Sequence, residues 1–180
     1  TTQGWPVYHA TTGNQAYLTL NSTASAVTSY PYMWNSTSPT STVFSVGTGE
    51  SWTNWSTWTY VAYCFSAVAG YSAFGSYTGN GSSDGPFVFT GFRPRWVMFK
   101  RTDVSNDWFI LDTSRNTYNV AGTALYPSDA SSETTNGFYD SDIVSNGFKV
   151  RATNSVVNAS GGTYIYAAFA ENPFRNALAR

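Results

Sequence analysis

The sequence predicts an all-β fold, a β-sandwich of jelly-roll or concanavalin-like type with about ten short antiparallel strands. Three observations predict it. Aromatic residues are 18% of the 180 positions, and charged residues are 11%, against a typical ~25%. Thr (24), Ser (23) and Asn (14) are abundant, whereas Leu (5) and Ile (3) are scarce, so strand formers outweigh helix formers. Short apolar or alternating runs are separated by Gly, Pro and Asn turn signals. A closed barrel is the second architecture compatible with this pattern.

The elements follow in chain order. Residues 1–16 read as extended, and Ala16-Tyr17-Leu18-Thr19-Leu20 alternates as a strand does. Residues 21–42 are mostly Ser, Thr, Asn and Pro, hence loop. Thr42 to Val46 reads as a short strand. Trp52, Trp55 and Trp58 recur every three residues, but the flanking Gly, Ser and Thr argue for a polar loop rather than a helix. Thr59 to Val68 is the first strong strand pattern, and it encloses Cys64, which reads as a buried structural thiol. Residues 70–86 carry five Gly and a Pro, which suggests turns around short extended pieces.

Phe87–Thr90, Arg95–Arg101 and Asp107–Asp112 read as strands, the second with both faces apolar as in a sandwich centre. Residues 113–137 are irregular. Asn146-Gly147 between two apolar runs predicts a tight hairpin whose turn residues need positive φ. Thr163 to Ala170 is the last strand, and it echoes Thr59 to Ser66 at three identical positions of eight. That echo indicates two strands under the same packing demands. No linker or shift of composition divides residues 1–180 into separate domains.

The composition excludes several function classes. A net charge of −1 gives no drive toward nucleic acid or an anionic membrane. One His (His9) and one Cys exclude a multi-His or Cys/His metal centre and an intrachain disulfide within these residues. A Ser-His-Asp triad has only His9 to draw on. No apolar run is long enough to span a membrane as a helix. A start at Thr1-Thr2-Gln3 without Met or signal peptide suggests a piece of a longer protein. No cofactor is expected.

Several phrases carry a family resemblance. They are Val7-Tyr8-His9, Tyr60-Val61-Ala62-Tyr63-Cys64-Phe65, Tyr77-Thr78-Gly79-Asn80-Gly81 and Asp84-Gly85-Pro86-Phe87-Val88. Gly91-Phe92-Arg93-Pro94, Ser145-Asn146-Gly147-Phe148-Lys149 and Ala168-Phe169-Ala170-Glu171-Asn172-Pro173-Phe174 complete them. Over about residues 5–180 the chain resembles a domain of unknown function at the C-terminal end of tailed-bacteriophage structural proteins, often tail fibres or other virion appendages of marine phages. The ending Ala177-Leu178-Ala179-Arg180 is similar to that family's terminus. The resemblance implies an extracellular virion location, other virion subunits as partners and a homo-oligomer, a trimer by analogy. The Trp-rich stretch 51–58 looks longer and more aromatic than that family's pattern, which is where specificity would sit.

The residues themselves point to carbohydrate as the ligand, and the resemblance implies that it is a bacterial surface glycan or receptor. Sugars offer C–H faces that stack on aromatic rings and hydroxyls that need planar polar groups. Trp52, Trp55 and Trp58 are the first candidates. A second set is Asn80, Asp84, Asp112, Arg115, Asn116 and Asn119, with a bidentate Asp–Arg pair that fixes a loop as the simpler alternative. The loop Asn80–Gly85 has a calcium-type composition without the Asp-x-Asp-x-Asp spacing. Glycoside hydrolysis would need two carboxylates at a defined separation. Asp140 and Asp142 could share a strand face, and Glu171 ends the last strand. The reading is therefore a non-catalytic binding domain. A structural virion subunit is the alternative, and a polysaccharide hydrolase the third choice. Five Asn-x-Ser/Thr sequons, at Asn21, Asn35, Asn54, Asn80 and Asn158, are about what this composition gives by chance.

Overall fold

The computed structural model describes residues 3–48 and 50–173. The Phe174–Arg180 end of the resemblance, with its terminal phrase, lies outside the described residues. The fold is all-β and sandwich-like. In chain order the strands are β1 (Pro6–Val7), β2 (Leu18–Thr19), β3 (Ser72–Thr78), β4 (Phe87–Phe89), β5 (Pro94–Arg101) and β6 (Trp108–Asp112). Then come β7 (Thr123–Ala124), β8 (Thr134–Thr135), β9 (Ser141–Val144), β10 (Gly147–Val150), a single helical turn α1 (Ser155–Asn158) and β11 (Thr163–Ala170).

Two sheets make the sandwich. One has the order β3-β11-β5-β6 and the other β4-β10-β9, with every pairing antiparallel. The alternation of β11 decides what faces where. Tyr164, Tyr166 and Ala168 point into the core between the sheets, beside Val97 and Phe99 of β5 and Phe109 and Leu111 of β6. Phe148 and Val150 of β10 and Ile143 of β9 meet them from the other sheet. Rings supply the volume that Leu and Ile would usually provide. Tyr77 stacks on Tyr164 at 4.9 Å, Phe99 on Phe109 at 4.7 Å, and Phe148 meets Phe99 edge-on at 5.1 Å.

The outer face of the four-stranded sheet is covered by the N-terminal segment. Ile165 and Trp108 pack there against Leu18, with Val7, Leu20 and Ala26 around them. The Trp108 indole N–H donates to the Thr19 carbonyl at 2.9 Å, which closes the contact.

Four expectations are corrected. Thr42–Val46 forms no strand and is largely exposed. Thr59–Val68 forms no strand either; only Val68 makes an isolated bridge, to Ser72. Its sequence suits a sheet, but no described strand of the chain pairs with it. Cys64 within it is consequently exposed rather than buried. Conversely, the Gly-rich stretch read as turns contains the seven-residue β3.

The hairpin of β9 and β10 forms, but its turn is shifted by one residue. Gly147 pairs with Val144, leaving Ser145 and Asn146 as the two-residue loop, and neither Asn146 nor Gly147 has a positive φ. Gly147 serves a close approach instead. A Cβ there would lie 2.0 Å from the Val88 carbonyl oxygen of β4. Gly147→Val is expected to push β4 off β10 at a cost of about 2 kcal/mol. Thermal unfolding followed by circular dichroism should show a midpoint about 4–8 °C lower. An unchanged midpoint would contradict the close packing.

Candidate functional site

Four aromatic side chains of the N-terminal half, Tyr17, Tyr30, Tyr32 and Trp52, form one cluster beside the Glu50 carboxylate. Tyr17 precedes β2 and bridges to Val27, which brings the 21–32 segment alongside it. Tyr30 meets Tyr17 edge-on at 5.3 Å, and Tyr32 meets Tyr30 edge-on at 5.5 Å. Trp52 meets Tyr17 edge-on at 5.9 Å. The half-buried indole lies over Gly4, where a Cβ would come within 2.8 Å of the ring. Glycine at position 4 is what lets the ring settle.

Glu50 sits in this group. Its Oε2 accepts from the Tyr30 hydroxyl at 2.7 Å, which pushes the Tyr30 phenol up to about 12. The Glu50 carbonyl accepts from the N–H of Asn54 and of Thr53, forming the turn that carries Trp52. Tyr32 is 66% exposed at the edge of the cluster.

Trp55 and Trp58 stand on the same loop and are 48% and 45% exposed. The loop is clasped from within. The Tyr60 hydroxyl accepts from the Trp55 N–H at 2.8 Å and donates to the Ser51 carbonyl at 2.9 Å. A ring held on a closed turn loses less rotational freedom on binding than one on an open loop.

The second candidate set is engaged within the chain. Asp112 Oδ1 accepts from the backbone N–H of Ser114 and Arg115, and its Oδ2 pairs with Arg115 Nε at 3.0 Å. Arg115 also reaches Glu133. Asn116 bonds both the N–H and the hydroxyl of Thr123, and Asn119 bonds the N–H and carbonyl of Ile143. Asp112 and Arg115 thus brace the turn after β6, with Oδ1 given to the backbone rather than to a bidentate pair. Asn80 is locked to Asn158 through its N–H and side chain. Asp84 is exposed and pairs with Lys149 at 2.9 Å, whose ammonium holds the Asp84 carboxyl below its ordinary range.

Of the acids considered for hydrolysis, Asp142 pairs with Arg151 at 2.6 Å and Glu171 with Arg93 at 2.8 Å. Among the described residues no group of three or more His, Cys, Asp or Glu is placed to hold a metal ion. A shallow cleft of about 300 Å³ lies where the N-terminal segment meets the four-stranded sheet. Thr11, Thr28, Ser76, Thr102 and Thr163 line it together with the apolar Ala16, Ala26 and Ile165.

Sequence reasoning named the three Trp as candidates and did not name Tyr30, Tyr32 or Glu50, which the fold clusters with Trp52 and Tyr17. The signal was present as Tyr30-Pro31-Tyr32, aromatic residues inside a stretch otherwise composed as a loop. A family model described as a domain of unknown function, DUF7483, matches residues 1–173. No curated protein and no solved structure matches the chain.

Proposed function

We propose that this chain, which belongs to the DUF7483 family of domains of unknown function, is a non-catalytic module that binds carbohydrate through its Trp-rich loop. The observation that carries this reading is the pair of half-exposed indoles, Trp55 and Trp58, on a turn clasped by Tyr60. Exposed rings on a braced loop suit the apolar faces of a sugar. The Glu50 carboxylate lies beside Trp52, and the Tyr30 hydroxyl that bonds it adds a second polar group to the cluster. The ligand proposed is a bacterial surface glycan, and the setting proposed is a phage virion appendage such as a fibre tip.

The test is a glycan array and a whole-cell binding assay with wild type, Trp55→Ala, Trp58→Ala and Asn116→Ala. Losing an anchor ring at an interface centre costs ~2 kcal/mol or more, so each Trp variant should bind at least tenfold more weakly. Asn116→Ala should bind as wild type does. Equal binding by all four would remove the Trp loop from the site. A structural virion subunit is the second reading, favoured by the run of exposed apolar side chains at Tyr60, Val61, Tyr63 and Phe65.

A further inference from the structure

Residues 59–67 have the sequence of a sheet strand and none of its bonds. From Thr59 to Ala67 no backbone N–H donates to any described residue, and on the carbonyl side only Ser66 accepts, from the Ser72 hydroxyl. Nine successive residues of an apolar segment thus offer both edges of their backbone. Their side chains are equally uncovered. Val61 is 76% exposed, Tyr63 70% and Phe65 67%. Single exposed apolar residues are ordinary on a protein surface, but a contiguous row is not.

The segment also lacks what normally protects such a row. Proteins guard exposed strands with Lys, Pro or inward-facing charges. Between Glu50 and Asp84 there is no charged residue, and between Pro39 and Pro86 there is no proline. The likeness of Thr59–Ser66 to Thr163–Ala170 sharpens the point. The second copy of this pattern is β11, bonded on both sides by β3 and β5. The first has a similar pattern and no strand neighbour among the described residues; its rings touch the chain, Phe65 against Phe74 and Phe169 and Tyr63 against Trp5.

We propose that residues 59–67 are an association strand, which pairs antiparallel with the same segment of a second copy of this chain. The segment is complementary to itself. A two-fold axis normal to the shared sheet keeps each side chain on its own face, so Val61, Tyr63 and Phe65 of one copy fall opposite the same three of the other. Aromatic and β-branched residues are the favoured cross-strand neighbours. With no charge on either copy, nothing repels. The self-matched pattern and the missing charge favour an identical partner over a different protein, which would have to supply its own uncharged strand.

The areas agree. Tyr60, Tyr63 and Phe65 alone leave on the order of 400 Å² uncovered, at about 200 Å² per ring. A standard interface takes about 800 Å² from each partner, so these rings supply about half. The inference does not rest on carbohydrate binding. The residues varied in its test, Val61, Tyr63 and Cys64, lie outside the proposed glycan platform, whereas Tyr60 of the same segment clasps the Trp loop.

Sedimentation velocity over micromolar concentrations, on the 180-residue chain, tests it. Wild type should sediment as an oligomer. Val61→Lys and Tyr63→Lys should sediment as monomers with unchanged circular dichroism, since both side chains already face solvent. Cys64 supplies an independent readout, being the sole cysteine of the sequence. A short bis-maleimide should cross-link wild type into a covalent dimer, and Cys64→Ser should abolish the product. A monomeric wild type that fails to cross-link overturns the proposal, as does an oligomer unaffected by both lysine variants. If the lysine variants are monomeric and still bind glycan, the two proposals stand separately.

Discussion

Asn158→Ala is expected to lower stability by about 3 kcal/mol and the thermal midpoint by about 6–12 °C. Asn158 ends α1 and has no exposed surface. Its Oδ1 accepts from the Asn80 N–H at 2.8 Å. Its Nδ2 donates to the carbonyls of Ser82 (2.7 Å) and Ala152 (3.0 Å) and lies 3.2 Å from Asn80 Oδ1. One amide thus joins α1, the 79–85 loop and the segment after β10. Its removal strands the Ala152 carbonyl beside a void, and a buried polar group left without a partner costs about 1–3 kcal/mol. The outer partners, Asn80 and Ser82, reach water and recover part of their loss.

Asn158→Asp makes a sharper comparison. The size is kept, but a carboxylate has no hydrogen to give the two carbonyls. At pH 7 this variant should be no more stable than Asn158→Ala. Its stability should recover in part as the pH falls and the carboxyl gains a proton. A midpoint within a degree of wild type for both variants would show that the amide does not organise the loop. Glycan binding through the Trp loop should persist in folded Asn158→Ala, because none of the bonds of Asn158 reaches residues 50–60.

The same residues show what sequence can reveal. β11 was legible to the residue, because eight positions of Thr163–Ala170 carry aromatic, β-branched and small side chains without a turn former. β5 and the Phe148–Val150 part of β10 were legible for a similar reason, whereas Gly147 reads locally as a turn residue. β3 was hidden by Gly75, which sits under the Tyr166 ring, where a Cβ would lie 2.8 Å from the hydroxyl. A glycine demanded by a neighbour 91 positions away looks locally like a turn. Asn158 was invisible for the same physical reason, since its value lies in partners as far away as Asn80, 78 residues off.

Residues 59–68 are the instructive miss. Local propensity there reads the demand for a sheet, but it does not say which chain answers it. The three Trp of the candidate site were legible as polar-loop aromatics. Tyr30 and Glu50 were not, because only the fold brings them within 2.7 Å.

Stability should rise between pH 8 and pH 10, and Lys100 should be the cause. Lys100 lies in β5 with no exposed surface. Its Nζ donates to the carbonyls of Thr23 (2.9 Å) and Asn106. It therefore fastens the N-terminal segment, which carries Tyr17 and Tyr30 of the aromatic cluster, to the loop between β5 and β6. Burial lowers its pKa from an ordinary 10.5 to about 8, against the pull of the Asp107 carboxylate. The sign follows from proton counting. Below pH 8 both folded and unfolded chains hold the proton, and the full cost of burying the ammonium is felt. Between pH 8 and 10.5 the unfolded chain holds more protons, so stability climbs with pH. A gap of this size corresponds to about 3 kcal/mol across the window.

The neutral amine keeps two N–H groups, enough for both carbonyls, so the clasp survives deprotonation. Above pH 10 the trend should reverse. Burial holds the Tyr77 and Tyr139 hydroxyls above their ordinary range, and unfolded tyrosines then ionise first. Urea midpoints measured from pH 7 to 11 should therefore pass through a maximum near pH 10 in wild type. In Lys100→Met the climb should vanish while the fall above pH 10 remains, which separates the lysine from the tyrosines. A wild-type profile flat from pH 8 to 10 would mean that the ammonium is not desolvated in the fold. The N-terminal segment would then be held by its backbone bonds, by Leu18 on Ile165 and Trp108, and by the Trp108 indole on the Thr19 carbonyl.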